Sequence, residues 1–170
     1  MSDVSIRLLA ADDIPAIMAA FAALRWQRPD GHLERYLEEQ GQGEREVLAA
    51  WQGDAFAGYV SIIWHSDYTP FRDAGIPEIN DFSMPRPLRR QGIGSRLLDE
   101  AERRIAGRSP EAGIGAGLSP DYGAAQRLYV KRGYIPDGRG LITHGRPAAW
   151  GATVVVDDEL ALYFTKRLQP

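Results

Sequence analysis

The spacing of apolar residues changes several times along this chain, and each change predicts an element. Val4 to Leu9 reads as a short strand. Asp12 or Asp13 is placed to cap a helix with Pro15 in its first turn, and Ile14, Ile17, Met18, Phe21 and Leu24 fall on one helical face. Pro29-Asp30-Gly31 is a turn, and a more polar helix follows from His32 to Gln40 with Leu33 and Leu37 as its stripe. Val47 to Trp51 and Ala55 to Trp64 are apolar runs joined by Gln52-Gly53-Asp54, the pattern of a hairpin. His65 to Pro77 reads as a loop rich in aromatics and prolines, and Glu78 to Met84 as the next strand. Ile93, Leu97, Ala101 and Ile105 recur every four residues, so Ser95 to Gly107 is predicted to be an amphipathic helix.

Ala112 to Leu118 reads as a strand in which Gly113, Gly115 and Gly117 alternate with apolar residues. A period of two places all three glycines on one face, where they mark close approach by backbone or ligand. Gly123 to Arg132 is the next helix, and Gly133 ends it. Tyr134-Ile135 begins a strand, Pro136 to Asp158 is mostly loop with an apolar run at Val154 to Val156, and Leu160 to Phe164 begins a closing strand. The resulting order, β-α-α-β-β-β-α-β-α-β-β, predicts an α/β (α+β) mixed sheet with helices on both faces.

Composition narrows the function classes. At 170 residues, with 44% hydrophobic and 25% charged, the chain is expected to form a single domain over residues 1–170 with a substantial core. A net charge of −3 argues against a general nucleic-acid binder, although Arg86, Arg89, Arg90 and Arg96 make a local basic patch. With no cysteine, disulfides, thiolate metal sites and a cysteine nucleophile are excluded. His32, His65 and His144 lack ligand spacing, so no metal is expected. The start, Met-Ser-Asp-Val-Ser, does not resemble a leader, and no apolar run reaches the roughly 20 residues that span a bilayer. A cytoplasmic protein without membrane or nucleic-acid partners is expected.

The candidate chemistry lies at Arg89-Arg90-Gln91-Gly92-Ile93-Gly94, between a predicted strand and a predicted helix. A strand that turns through glycines into a helix gathers backbone N–H groups at the positive end of a helix dipole, where a phosphate binds. The plain alternative is a glycine-containing turn with a solvated basic flank. A nucleotide P-loop is excluded, because no Lys-Ser or Lys-Thr follows Gly94. A dinucleotide fingerprint at Gly113 to Gly117 fails because Leu118 stands at the third glycine position and Pro120 interrupts the entry into a helix.

Arg89-x-x-Gly92-x-Gly94 resembles the acetyl-CoA pyrophosphate loop of the GNAT acyltransferases. Ala125-Gln126-Arg127-Leu128-Tyr129, running on to Gly133-Tyr134, resembles a second motif of that family, in the same order. The likeness is close over residues 78 to 135. It implies acetyl-CoA as cosubstrate and an N-acetyltransferase acting on a primary amine of a small molecule or peptide in a ternary complex. An acyl-CoA sensor of the same fold is the alternative. It further implies that Arg89, Arg90, Gln91, Gly92, Ile93, Gly94 and Ser95 hold the pyrophosphate. Phe82, Ser83, Met84, Tyr122 and Ala125 would contact the rest of the cofactor, with Tyr122 standing where the family often has asparagine. Tyr129 would be the acid that protonates the leaving thiolate. An amine near pKa 10 must lose a proton before it attacks. Glu78 and Asp81 are candidate bases, and a regular strand would place them on opposite faces. Trp26, Trp64 and Tyr68 are candidates to line the acceptor site. The family occurs as monomers and homodimers.

Overall fold

A computed structural model describes residues 4–169, so Met1 to Asp3, read above for a leader, lie outside the described residues. Among the described residues the chain folds into two compact units, one of residues 4–64 and 80–104, the other of 65–79 and 105–169.

The first unit contains strands β1 (Val4–Leu8), β2 (Arg45–Gln52) and β3 (Ala55–Ile63), with the end of β4 (Glu78–Ser83) beside β3. β1 pairs antiparallel with β2, and β2 with β3 through the tight turn predicted at Gln52-Gly53-Asp54. β2 is buried from Val47 to Trp51 without alternation, which requires cover on both faces. Helices α1 (Ile14–Leu24) and α2 (His32–Gly41) supply one cover. Ile17, Phe21, Leu33 and Tyr36 pack there with Val47, Ala49, Trp51 and Tyr59. Helix α4 (Ile93–Ala106) covers the other face, which carries Glu46, Leu48 and Ala50. Its Arg104 donates to Glu46 at 2.7 Å, its Arg96 donates to the Val4 carbonyl at 2.6 Å, and Ile93, Leu97, Ala101 and Ile105 are buried as the period predicted.

Two predictions at the first helix are corrected. Met18 is exposed, because the buried stripe is narrower and runs through Ile17 and Phe21. Asp13 occupies the N-cap position of α1 but gives that helix no side-chain hydrogen bond. Its carboxylate turns back to the Arg7 guanidinium, with two hydrogen bonds of 2.6 Å, and accepts from the Ala10 amide. That ion pair holds the Asp13 carboxyl below its ordinary range.

In the second unit, Glu78 and Ile79 of β4 pair in parallel with Gly113 and Ile114 of β5 (Glu111–Gly117). β5 runs antiparallel to β9 (Leu160–Arg167), which also pairs with the short strands β6 (Ile135–Pro136) and β7 (Ile142–Thr143). β7 turns through His144 and Gly145, both at positive φ, into β8 (Arg146–Pro147). The expected loop 136–158 therefore contains a hairpin, while Val154 to Val156 form no strand and Val155 and Val156 are exposed. The expected loop 65–77 contains helix α3 (Thr69–Ala74), with Pro70 in its first turn and Gly75 closing it at φ 66°.

The close approach expected at the glycine stripe of β5 is made by side chains. A Cβ at Gly113 would lie 2.2 Å from the Phe71 ring, one at Gly115 3.1 Å from Tyr163, and one at Gly117 2.5 Å from Tyr122. The three glycines seat three aromatic rings.

Among the described residues, no helix is long and apolar enough to cross a membrane.

Candidate functional site

In the first unit the site is built on the end of β4. Asp81 has φ 44°, a left-handed conformation that is uncommon for a residue other than glycine. The alternation of a regular strand therefore breaks at Asp81, and the face argument that opposed it to Glu78 does not hold. Its carboxylate is fully engaged. Oδ2 accepts from the phenols of Tyr36 (3.0 Å) and Tyr59 (2.5 Å), and Oδ1 accepts from Ser83 (3.2 Å). Arg28 lies 3.4 Å from Oδ1 and donates to the Ser83 hydroxyl at 2.5 Å. Burial, and after it the Asp81 charge, pushes Tyr36 up to about 12 and Tyr59 further, so both phenols remain donors. A carboxylate holding this many donors is suited to fixing the strand end more than to taking up a proton.

Beyond Ser83, the buried Met84 receives a hydrogen bond on its carbonyl from Arg89 Nε at 3.2 Å. The turn then passes through positive φ at Arg90 (63°) and Gly92 (82°) into α4. A side chain at Gly92 would be strained by that φ, although the space around it is open. Gly94 is needed for another reason, because a Cβ there would meet the Phe82 ring at 2.9 Å. Arg96 is the first residue of the helix to return its amide to the chain, at the Gly92 carbonyl. By helix geometry the amides ahead of it have no carbonyl to bind within the helix. Arg89, Arg90, Gln91 and Gly92 are exposed, Gly94 and Ser95 are half-buried and Ile93 is buried in the core. The turn thus presents donors and two guanidinium groups on its outer side, a fit for a diphosphate.

Of the aromatic candidates in this unit, Trp26 is half-buried, with its ring 5.5 Å from Phe21 and Arg28 over it at 5.8 Å. Trp64 is buried, and its amide donates to the Glu44 carbonyl.

In the second unit Glu78 is 6% exposed, and the Ser66 hydroxyl donates to its carboxylate. Ser66 in turn accepts from the Tyr68 amide at 3.0 Å. The Tyr68 ring stacks on Tyr163, with centroids 3.8 Å apart and planes within 9°, and its phenol donates to Asp137 at 2.8 Å. Burial foremost, then the Glu78 charge, raises Tyr163 to about 12. Helix α5 (Gly123–Lys131) carries Ala125, half-buried, and Tyr129, 4% exposed. Burial, and then the neighbouring Tyr122 phenol, pushes the Tyr129 pKa well above its ordinary value, so it stays a protonated donor. Tyr122 covers Gly117 and donates to Asp158 at 3.1 Å.

Three participants escaped the sequence reading. Ser66 holds Glu78, Arg28 closes the Asp81 network and Tyr163 backs Tyr68. Arg28, flanked by Gln27 and Pro29, gave no signal of its own. Ser66 could have been suspected only from its place two residues before Tyr68. Among the described residues no acidic or histidine cluster suits a metal ion.

The fold recurs in solved proteins. The Salmonella typhimurium acetyltransferase that modifies the N-terminal serine of ribosomal protein L7/L12 superposes with a TM-score of 0.73 at 11% identity, over 99% of this chain and 97% of that one. Salmonella typhimurium yncA, solved with its cofactor acetyl-CoA, gives 0.64 at 18% identity, over 98% and 94%. Arabidopsis thaliana Naa50, in complex with the bisubstrate analogue CoA-Ac-MVNAL, gives 0.65 at 15% identity, over 98% and 99%. No sequence among curated proteins matches this one. These identities speak for the fold alone. The profile of the Acetyltransferase (GNAT) family matches the sequence itself over residues 14–134, from α1 through the Arg89–Gly94 turn to the end of the Leu128-Tyr129 helix, and the chain therefore belongs to the GNAT acetyltransferases.

Proposed function

We propose that the protein is a cytoplasmic enzyme that moves an acetyl group from acetyl-CoA to a primary amine of a small molecule or peptide within one ternary complex. The observation that carries this reading is the turn at Arg89–Gly94. It is left-handed at Arg90 and Gly92, flanked by exposed guanidinium groups, and delivers its amides into the N-terminus of a 14-residue helix.

Acetyl-CoA, when bound, supplies an activated acyl carbon and a thiolate leaving group. The amides of Gln91 to Ser95, with Arg89 and Arg90, hold its pyrophosphate, while Phe82, Ser83 and Met84 border its chain, joined by Tyr122 and Ala125. Arg89 leaves the Met84 carbonyl to do so. Glu78, steadied by Ser66, takes the proton from the acceptor ammonium directly or through a water. The freed amine forms the C–N bond as the C–S bond breaks, the protonated phenol of Tyr129 gives its proton to the departing sulfur, and the second proton shed by the acylated nitrogen restores that phenol. Asp81 acts through Ser83 and Arg28 to fix the strand end. The bisubstrate complex of Naa50 and the L7/L12-modifying relative support direct transfer to amines at peptide N-termini.

The test is calorimetry of acetyl-CoA binding together with CoA release across a panel of amines. Binding that weakens in Arg89→Ala/Arg90→Ala, with release above hydrolysis for some amine, is the expected result. Binding without release from any amine would make the protein a sensor, and unchanged affinity in the double variant would remove the turn from the site.

A further inference from the structure

The second unit holds a cleft of about 520 Å³ lined by Tyr68, Thr69, Pro70, Asp73, Arg139 and Ile142, with the β7–β8 hairpin at its edge. It is built by buried bonds. Asp137, whose side chain is 5% exposed, accepts from the Tyr68 phenol at 2.8 Å and from the Arg139 amide at 3.0 Å. Those two bonds fix the backbone of Arg139 and one wall of the cleft together. The Arg139 side chain is 58% exposed, and its Nε lies 4.0 Å from Asp137, at the limit of an ion pair. Among the described residues its N–H groups make no hydrogen bond. Arg139 thus brings a planar fork of donors to the lining of a cleft whose apolar lining includes Tyr68, Pro70, Ile142 and Pro147. The matching ligand has an apolar stem and a carboxylate, which a guanidinium binds through two parallel bonds.

The remaining charges refine that match. Asp73 lines the cleft and Asp137 backs it, so Arg139 is outnumbered by carboxylates. A bare anion or a doubly charged phosphate is disfavoured there. A carboxylate that brings its own ammonium is not. The segment Ser66 to Tyr68 joins this cleft to the candidate base. Tyr68 lines it, while the Tyr68 amide holds the serine that holds Glu78.

We propose that this cleft anchors the carboxylate end of an amino-acid-like acceptor, with Arg139 as the contact that sets specificity. The proposal rests on the acetyl-transfer reading above and names its acceptor class. Its test is CoA release from acetyl-CoA with glycine, β-alanine and γ-aminobutanoate, each beside its amide. For the best acid of the series, kcat/KM should exceed that of its amide by about 10- to 100-fold, the range of a hydrogen bond to a charged group. That ratio should collapse towards one in Arg139→Gln, an exposed substitution that leaves the core intact. Equal use of acids and amides, or a ratio that survives Arg139→Gln, overturns the proposal. Should no amine release CoA, an NMR titration of the full chain with γ-aminobutanoate and its amide separates the two readings. Saturable shifts at Tyr68, Thr69 and Arg139 with the acid only, lost in Arg139→Gln, keep the cleft while the transfer reading fails. Absence of such shifts removes the cleft.

Discussion

Replacing Gly113 by alanine probes the packing that joins β5 to α3. The added methyl would stand 2.2 Å from Phe71 Cε2 and 2.6 Å from both Cδ2 and Cζ, against the 3.4–4 Å of ordinary contact. Something must move by more than an ångström. Phe71 is 1% exposed, with the Tyr68 ring 4.9 Å and the Tyr163 ring 5.5 Å away, both edge-on, so it has no free side to retreat to. Overpacking of this kind costs about 1–3 kcal/mol, and the depth of the clash argues for the top of that range. At about 2–4 °C per kcal/mol for a chain of this size, the expected fall in Tm is about 6–12 °C. Gly115→Ala is the internal control, because its methyl would meet Tyr163 at 3.1 Å, a gap that a few tenths of an ångström relieves. Its stability should stay within about 1 kcal/mol of the parent. A cycle with Phe71→Leu isolates the contact, since shortening the ring should recover about 1 kcal/mol or more of the Gly113→Ala loss. Thermal unfolding of the four proteins in the cycle, beside Gly115→Ala, gives the answer. Equal Tm for the two alanine variants, or strict additivity with Phe71→Leu, would refute the claim that the glycines exist to seat these rings.

The other predictions concern the candidate site and the acid limb. Tyr129→Phe should lower kcat by about 10²- to 10⁴-fold while acetyl-CoA affinity in calorimetry is retained, and unchanged turnover would take the phenol out of the mechanism. Glu78→Gln should lower kcat and remove a limb of its pH profile. Asp81→Asn should instead lower Tm, by breaking a network of two phenols, a serine and an arginine, and leave the profile in place. The reverse pattern would exchange the two roles. Gly92→Val should weaken acetyl-CoA binding with little change in fold, because the site is open but the φ of 82° is strained for valine. Glu100 is held down to about 2 by hydrogen bonds from Arg103 first and Arg104 next. Its folded pKa lies below the unfolded one, so its stabilisation is present above about pH 4.5 and is lost as the pH falls towards 2. Glu100→Gln should therefore flatten part of the fall of Tm over that window, and an unaltered slope would show the pair to be solvent-screened.

The parts of this protein that were legible from sequence share a physical trait, in that their chemistry is local. The Arg89–Gly94 turn is read from adjacent residues because backbone amides and a glycine at positive φ are local features. α4 is read from its period because one apolar stripe suffices to bury it. Where the reading failed, the deciding partner lies far along the chain. The stripe of β5 carried the signal of close approach, but only the fold reveals Phe71, Tyr122 and Tyr163 as what approaches. Helix α3 had its local marks, Pro70 in the first turn and Gly75 at the end, yet six residues give no period to detect. The hairpin at His144-Gly145 likewise rests on strands of two residues each. Asp81 kept its place on β4, but its left-handed backbone voided an argument that assumed a regular pleat.

That division explains why the cofactor side and the acceptor side differ so much in legibility. A pyrophosphate is the same in every acyl-CoA, and in the proposed reading one helix N-terminus with two arginines answers it. The acceptor surface proposed above takes its shape from Tyr68 bound to Asp137, Ser66 to Glu78 and Tyr68 stacked on Tyr163. Each of these joins segments that no local pattern connects. The same bonds couple the two tasks. Tyr68 lines the cleft and gives its amide to the serine that holds Glu78, so in the proposed reading a change in the acceptor wall is felt at the base. Substitutions at Tyr68 should accordingly alter kcat and KM together. Substitutions at Arg139, whose guanidinium only faces the cleft, should act on KM alone. That split, measured on one acceptor, separates the residues that build the site from the residue that chooses what enters it.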